Sequence, residues 1–165
     1  MKAVTRLFGR NASAHPLQTA GSVRYVYHAA RIVFGGWFLF SGLWHFLWPW
    51  LQPMGNEPAA IAFTRAMLAS GLFDWIKAIE VVTGITMLIN RGMPLTILAI
   101  VPLNIVIVYW NFVLDKGVVE WTFGTLTIIC NAILAWPWRS CFWPLFQWKG
   151  RPDYSFDPNF PSADR

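Results

Sequence analysis

The sequence of residues 74–89, DWIKAIEVVTGITMLI, is typical of a membrane-spanning helix except that it contains charged residues, among them the carboxylate of Glu80. At 100° per residue, one face of this predicted helix carries Ile76, Lys77, Glu80, Thr83, Gly84 and Met87. A charge at the depth of a bilayer is costly, so we expect Glu80 to face other protein, a partner or a water-filled cavity. Two roles are open for it: a buried structural acid that is hydrogen-bonded or ion-paired, and a functional proton or ligand site.

Three further stretches contain no Asp, Glu, Lys or Arg over about the length that crosses a bilayer: residues 32–51, 93–114 and 121–138. Only 13% of the 165 residues are charged, against about 25% in soluble domains, and 56% are hydrophobic. Tryptophan and tyrosine gather near the ends of these stretches, as interfacial belts require. Together with a span at 73–90 around Glu80, the pattern predicts an all-α integral membrane protein with four transmembrane helices in an antiparallel bundle.

A shorter helix is predicted between the first and second spans. Asn56-Glu57-Pro58 indicates its start, with Asn56 as the N-cap, and Ser70-Gly71 indicates its end. Apolar side chains fall along one side of this segment, so we expect it to lie on the outer membrane interface.

Ten of the 13 basic residues lie on one side of the predicted bundle. They are Lys2, Arg6, Arg10, Arg24 and Arg31 before the first span, Arg91 between the second and third, and Arg139, Lys149, Arg151 and Arg165 after the fourth. The positive-inside rule therefore places both termini in the cytoplasm, and we expect the membrane to be the bacterial inner membrane. The net charge of +5 predicts anionic lipid head groups as partners, and not nucleic acid.

This topology divides the chain into three parts. Residues 1–24 form a basic cytoplasmic N-terminal segment, residues 25–143 form the four-helix transmembrane domain, and residues 144–165 form a polar cytoplasmic tail. The tail is rich in proline, and we expect it to become ordered on a partner.

The sequence lacks the common motifs of redox and metal chemistry. Its two cysteines, Cys130 and Cys141, form no C-x-x-C pair and no metal-ligand spacing. Its three histidines are too far apart in the chain to indicate a haem or metal site. We therefore predict no metal site and no covalently held cofactor.

Helix direction predicts a polar pocket in the outer leaflet. The first and third spans end outside and the second and fourth begin there, which brings His45, Glu80 and Asn111 to a similar depth. Asn104 lies nearer the midplane. We expect a pocket between His45, Glu80, Asn104 and Asn111, with Lys77 paired to Glu80 at i, i+3. For His45 a hydrogen-bonded core role remains open beside a ligand role.

The residues also carry a resemblance to a known family. Arg31-x-x-x-Gly35-x-x-Phe38-x-x-Ser41-Gly42, followed by Phe63, Leu68, Ser70-Gly71 and Glu80-x-x-x-Gly84, resembles the DoxX family of small four-helix membrane proteins. The resemblance covers mainly residues 31–114. His45 stands where family members often carry a basic residue, and Tyr109-Trp110-Asn111 stands where many carry a histidine. The resemblance implies a membrane component of quinone-linked oxidation or an anchor for a redox partner.

From the resemblance and the expected pocket, the functional hypothesis is a membrane accessory subunit near the quinone pool. His45 and an asparagine would hydrogen-bond the quinone carbonyl oxygens, with Lys77, Asn104 and Asn111 as ligand-binding residues. Glu80 would be the catalytic acid–base that exchanges protons. A larger membrane or membrane-attached protein would supply the electrons, since the chain has no redox group of its own. The alternative is a structural or assembly subunit without a catalytic site.

Overall fold

The computed structural model describes residues 16–146 and Trp148, and this part of the chain is helical and contains no β-strand. The prediction of an all-α fold is therefore confirmed. The five longer helices are α1 (Pro16–Leu47), α2 (Pro58–Ala69), α3 (Leu72–Ile89), α4 (Met93–Tyr109) and α5 (Val118–Ala135). A single-turn helix, α6 (Arg139–Phe142), follows, and 3-10 turns lie at Pro49–Leu51, Trp136–Trp138 and Trp143–Phe146.

Three helical segments in the described residues are long and apolar enough to cross a membrane, and they indicate an integral membrane protein. These segments are Gly21–Leu47, Met93–Leu114 and Val118–Phe146, with 27, 22 and 29 residues. Helix α3 is not among the three. It has 18 residues, and three of them, Asp74, Lys77 and Glu80, are charged.

The first and last helical segments are longer than the predicted spans. Helix α1 begins at Pro16 and not near residue 32, so the part of the N-terminal segment at 16–24 is helical, while 1–15 lies outside the described residues. Helical turns after α5 continue to Phe146, and most of the predicted tail also lies outside the described residues. The helices extend beyond the predicted spans because the spans were bounded by charged residues such as Arg31 and Arg139. Arginine ends an apolar stretch, but it is a good helix former and does not end a helix.

Helices α1 and α3 pack closely and run antiparallel. Arg31, in the first half of α1, donates a hydrogen bond to the Leu88 carbonyl near the end of α3 (2.7 Å). A methyl group on Gly84 of α3 would lie 2.6 Å from the backbone nitrogen of Leu39. One on Gly42 of α1 would lie 2.8 Å from the Lys77 carbonyl oxygen. Glycines therefore allow the two backbones to approach each other, as small residues do between membrane helices.

The other helices complete a ring in which α3 contacts α4, α4 contacts α5, and α5 contacts α1. Thr86 near the end of α3 shares a 2.7 Å hydrogen bond with Thr96 near the start of α4. The Trp138 indole N–H, beyond the end of α5, donates to the Tyr27 hydroxyl in the first half of α1 (3.1 Å). These contacts show that α3 runs antiparallel to α4, and α5 antiparallel to α1. Its core is packed mainly by Phe34, Phe38, Met87, Met93, Ile97, Ile100 and Leu134.

Helix α2 is present between the first two long helices, as predicted, but its start is stabilised differently. Glu57 and not Asn56 occupies the N-cap position, and its side chain makes no capping bond. The Asp115 carboxylate, 1% exposed, accepts hydrogen bonds from the backbone N–H groups of Asn56 (2.8 Å) and Glu57 (3.0 Å). Helix α2 is thereby fixed to the α4–α5 connection.

Candidate functional site

A cavity of about 490 Å³ lies inside the helical ring and is lined by residues of all five longer helices. Its walls are mainly apolar. Eight aromatic side chains contribute to them: Trp37, Phe38, Phe40, Trp44, Phe63, Phe73, Trp110 and Phe123. We call this space the aromatic cavity. Its volume is in the range of sites that bind drug-sized molecules, about 300–1,000 Å³.

An ion pair forms the polar wall of the aromatic cavity. The Lys77 ammonium donates to both carboxylate oxygens of Glu80, at 3.0 and 2.8 Å, and to the Ser41 hydroxyl on α1 at 2.8 Å. Both charged side chains are buried, with 10% and 5% of their area exposed. The predicted i, i+3 pairing is confirmed. The pair adds no net charge to the cavity, which therefore favours a neutral ligand at this wall.

Asn111 also lines the aromatic cavity, from a segment whose local structure the sequence analysis missed. Residues Trp110–Leu114 form a π-helical turn at the end of α4 and not a regular helical continuation. The Asn111 amide nitrogen donates to the Ile107 carbonyl oxygen of the preceding turn (2.7 Å). The Trp110 indole N–H donates to the Thr64 hydroxyl on α2 (3.3 Å). The wider π turn, a feature often found at functional sites, thus directs both side chains toward the cavity.

His45 is buried beside the aromatic cavity but is not among its lining residues. One ring nitrogen, Nε2, lies 2.8 Å from a carboxylate oxygen of Asp74 at the start of α3. The other, Nδ1, lies 3.1 Å from the side-chain oxygen of Gln52, which does line the cavity. His45 therefore joins the end of α1, the following turn and α3. This geometry matches the hydrogen-bonded core role.

Asn104 lies at a different cavity, a cleft of about 710 Å³ between α4 and α5. Asn104 is 4% exposed, and neither of its side-chain amide atoms has a hydrogen-bond partner among the described residues. Asn131 of α5 lines the same cleft. The expectation of one pocket between four side chains is corrected accordingly. The structure brings together Glu80, Asn111 and Lys77, and it separates His45 and Asn104 from them.

Two interactions at the edge of the site were missed by the sequence analysis. Asp115 anchors α2, which covers the aromatic cavity with Phe63, Thr64 and Met67. Arg31 donates to the carbonyl oxygens of Met87 and Leu88 and so neutralises the carboxyl-terminal end of α3. The position of Arg31, at the boundary of the first apolar stretch, was a signal for its contact with the end of α3. An antiparallel neighbouring helix ends at the same depth and exposes its last carbonyl groups there.

The arrangement can hold a flat, neutral molecule against aromatic rings and present hydroxyl, amide and carboxylate groups to it. Within residues 16–146 and Trp148, no group of three or more His, Cys, Asp or Glu side chains is arranged to hold a metal ion. Comparison of the chain with protein-family models, with curated proteins and with solved structures finds no match.

Proposed function

We propose that the protein is an accessory subunit of the bacterial inner membrane that binds a quinone in the aromatic cavity. The observation that carries the proposal is a cavity of about 490 Å³ whose aromatic walls enclose a neutral, buried Lys77–Glu80 pair. A quinone ring is flat and uncharged and has two carbonyl oxygens that accept hydrogen bonds. A flat, neutral ring can pack against the aromatic walls, and its carbonyl oxygens can accept hydrogen bonds from the hydroxyl and amide groups of the cavity.

The proposed topology has four membrane spans, with α3 as the second and both termini in the cytoplasm. Helix α3 can cross the membrane because its two innermost charges neutralise each other and Asp74 lies at its outer end, 64% exposed. In this topology the ion pair and Asn111 lie in the outer leaflet. The positive-inside distribution of Lys and Arg supports the orientation.

Particular side chains would hold the quinone. The Ser41 hydroxyl accepts from Lys77, and its own hydrogen can donate to one carbonyl oxygen. The Asn111 side-chain amide has a second N–H, which can donate to the other carbonyl oxygen of the quinone. A bound quinone supplies two-electron, two-proton redox chemistry. Glu80 would accept or return a proton at its carboxylate oxygens, while the aromatic walls exclude water.

The electrons would come from a larger membrane or membrane-attached protein that assembles with this chain. This part of the proposal is supported by the resemblance to the DoxX family through the motifs between Arg31 and Gly84. Membrane lipids, above all anionic ones, would be the other partners, since basic side chains such as Arg24, Arg91 and Arg139 are exposed at the proposed cytoplasmic side.

A second candidate is a structural or assembly subunit, and one observation favours it. All three ammonium hydrogens of Lys77 have acceptors within reach, two on Glu80 and one on Ser41, which is what a purely structural pair between α1 and α3 requires. In that case the pair would hold the helices together and Glu80 would not exchange protons.

The two candidates are distinguished by replacing the whole pair. Glu80→Gln alone leaves the Lys77 ammonium without its counter-charge, a change that costs about 3–5 kcal/mol in buried pairs. The double variant Lys77→Met/Glu80→Met removes both charges and is expected to keep its stability, because apolar replacements of buried pairs are often neutral. Under the quinone proposal, this variant folds and assembles with its partner but loses partner-coupled quinone reduction.

Thermal unfolding, quinone binding and partner-coupled quinone reduction are measured side by side for the wild type and the double variant. Glu120→Gln is the matched control, because Glu120 lines the same cavity without contacting Lys77. Its quinone reduction should match the wild type. Normal quinone reduction by a well-folded double variant would eliminate the proton role and leave the structural one.

A further inference from the structure

The aromatic cavity reaches the outer surface of the ring along the seam between α1 and α5. Trp37 and Phe40 of α1 line the cavity yet are 49% and 56% exposed. Val119 and Phe123 of α5 also line it and are 61% and 42% exposed. Side chains that border a cavity and the exterior at once mark the rim of an opening. This rim faces the surroundings of the bundle sideways and is formed by aromatic and aliphatic side chains.

The seam is closed toward one end and open toward the other. The Trp138–Tyr27 hydrogen bond joins the turn after α5 to the first half of α1. Further along, the rings of Trp37 and Phe123 stack across the seam, with centroids 5.2 Å apart and planes inclined by 25°. Beyond this stack the rim consists of Phe40 and Trp44 on α1 and of Val119 on α5.

Three of the polar groups of the cavity lie away from the seam, whereas Ser41 and Glu120 line the cavity from α1 and α5 themselves. Lys77 and Glu80 project from α3, which is diagonally opposite α5 in the ring, and Asn111 projects from the end of α4. A ligand that entered through the seam would therefore pass the aromatic and aliphatic side chains of the rim before it reached the Lys77–Glu80 pair and Asn111. That order suits a molecule with a polar head and an apolar tail.

We infer that the ligand of the aromatic cavity carries a long hydrocarbon tail, and that its head enters from the bilayer between α1 and α5 while its tail remains in lipid at this seam. The inference rests on the proposed quinone function and specifies which kind of quinone the site takes. A volume of about 490 Å³ accommodates a drug-sized head group, so a polyisoprenoid tail has to leave the cavity. The apolar rim gives it a path.

The test uses the full-length protein in nanodiscs of phosphatidylethanolamine and phosphatidylglycerol. A photoreactive azido-quinone head group labels the cavity, and labelled peptides are identified by mass spectrometry. Two competitors are compared at equal mole fraction in the membrane: ubiquinone-0, which has no tail, and ubiquinone-10. Both should compete in the wild type. The tail stays in contact with lipid at the rim, so it adds no binding free energy when the head group enters the cavity.

The discriminating variant is Val119→Trp, which places a bulky ring in the seam, and the matched control is Val118→Trp. Val118 is the neighbouring residue, 77% exposed, and it does not line the cavity. In Val119→Trp we expect the potency of ubiquinone-10 as a competitor of labelling to fall about tenfold or more, which corresponds to about 1.4 kcal/mol for each factor of ten. The potency of ubiquinone-0 should change by less than about threefold. Val118→Trp should leave both potencies unchanged.

The outcomes separate this inference from the proposed function. If ubiquinone-0 blocks labelling of the wild-type cavity while ubiquinone-10 does not, that result would support the quinone site and overturn the inference that its ligand carries a long hydrocarbon tail. Equal effects of Val119→Trp on both competitors, or no effect on either, would also overturn the lateral entry. If the azido-quinone does not label the cavity at all, the proposed function fails and the inference fails with it.

Discussion

At the scale of single residues, the buried charges among the described residues are matched by nearby groups of the chain itself. Lys77 is held by Glu80 and by Ser41, and Asp115 is held by two backbone N–H groups. A carboxylate that accepts backbone N–H groups at the start of a helix also interacts favourably with the positive end of the helix dipole. Lys77 and Asp115 therefore each join two segments that are distant in the chain.

The Asp115 contact predicts a loss of stability at α2. We expect Asp115→Ala to destabilise the protein by about 1–3 kcal/mol, because two buried N–H groups lose their acceptor. Asp115→Asn should be milder, since the amide oxygen can still accept one of these bonds. Thermal unfolding and limited proteolysis between residues 52 and 70 measure the effect. Lys116→Ala, an exposed neighbour, is the control; an equal loss there would contradict the role of Asp115.

Helical periodicity predicted the burial of residues on α3 well. Five of the six residues assigned to the inner face are buried, and Ile76 is half-buried. Periodicity identifies a face, but it does not identify the residue that meets that face. The partners of His45 and Asn56 are 29 and 59 positions away, so their bonds depend on how whole helices are arranged. For the same reason, the sequence did not reveal that His45 and Asn104 lie outside the aromatic cavity.

At the scale of helices, α1 and α3 form the closest pair because glycine replaces a side chain at their contacts. Gly84 of α3 faces Gly35 and Leu39 of α1, and any added carbon there would collide with backbone atoms. Backbone cannot move aside as a flexible side chain can. This pair positions Ser41 against Lys77, so the polar wall of the cavity depends on it.

The glycine contact makes a specific prediction for substitution by alanine. Gly84→Ala should destabilise the protein by about 1–3 kcal/mol, as overpacking does in closely packed interiors. Gly36→Ala is the matched control on α1, because a methyl group at Gly36 would meet no atom within 4 Å. Its stability should equal that of the wild type or exceed it by up to about 1 kcal/mol, because alanine is the better helix former. Thermal unfolding in the same detergent compares the two, and equal stabilities would refute the close approach.

The boundaries of helices were less predictable than their existence. The absence of charge located the apolar part of α1 at residue 32, but the helix itself starts at Pro16. A membrane boundary depends on polarity, whereas a helix end depends on caps and on residues that break the helix. The π turn at Trp110–Leu114 was not predicted either, because no composition rule distinguishes it from a regular turn.

At the scale of the whole molecule, the proposed orientation can be tested with the two cysteines. Cys141 is exposed in α6, after the last long helix, and Cys130 is partly buried within α5. A membrane-impermeant thiol reagent should label Cys141 in inside-out vesicles but not in intact cells, while Cys130 stays protected in both. Cys141→Ser is the control for specificity. Labelling of Cys141 in intact cells would invert the bundle and move the aromatic cavity to the cytoplasmic leaflet.

The length of α3 has a consequence for the lipid around the protein. Its 18 residues extend about 27 Å at 1.5 Å per residue, less than the roughly 30 Å of a typical hydrocarbon core. If α3 spans the membrane, hydrophobic mismatch pulls the two lipid surfaces toward each other beside it, at a cost of a fraction of a kcal/mol per Å. The 27-residue segment of α1 imposes no such strain. The protein would then sit in a bilayer that is thinner on one flank, and lipids with short acyl chains would gather there.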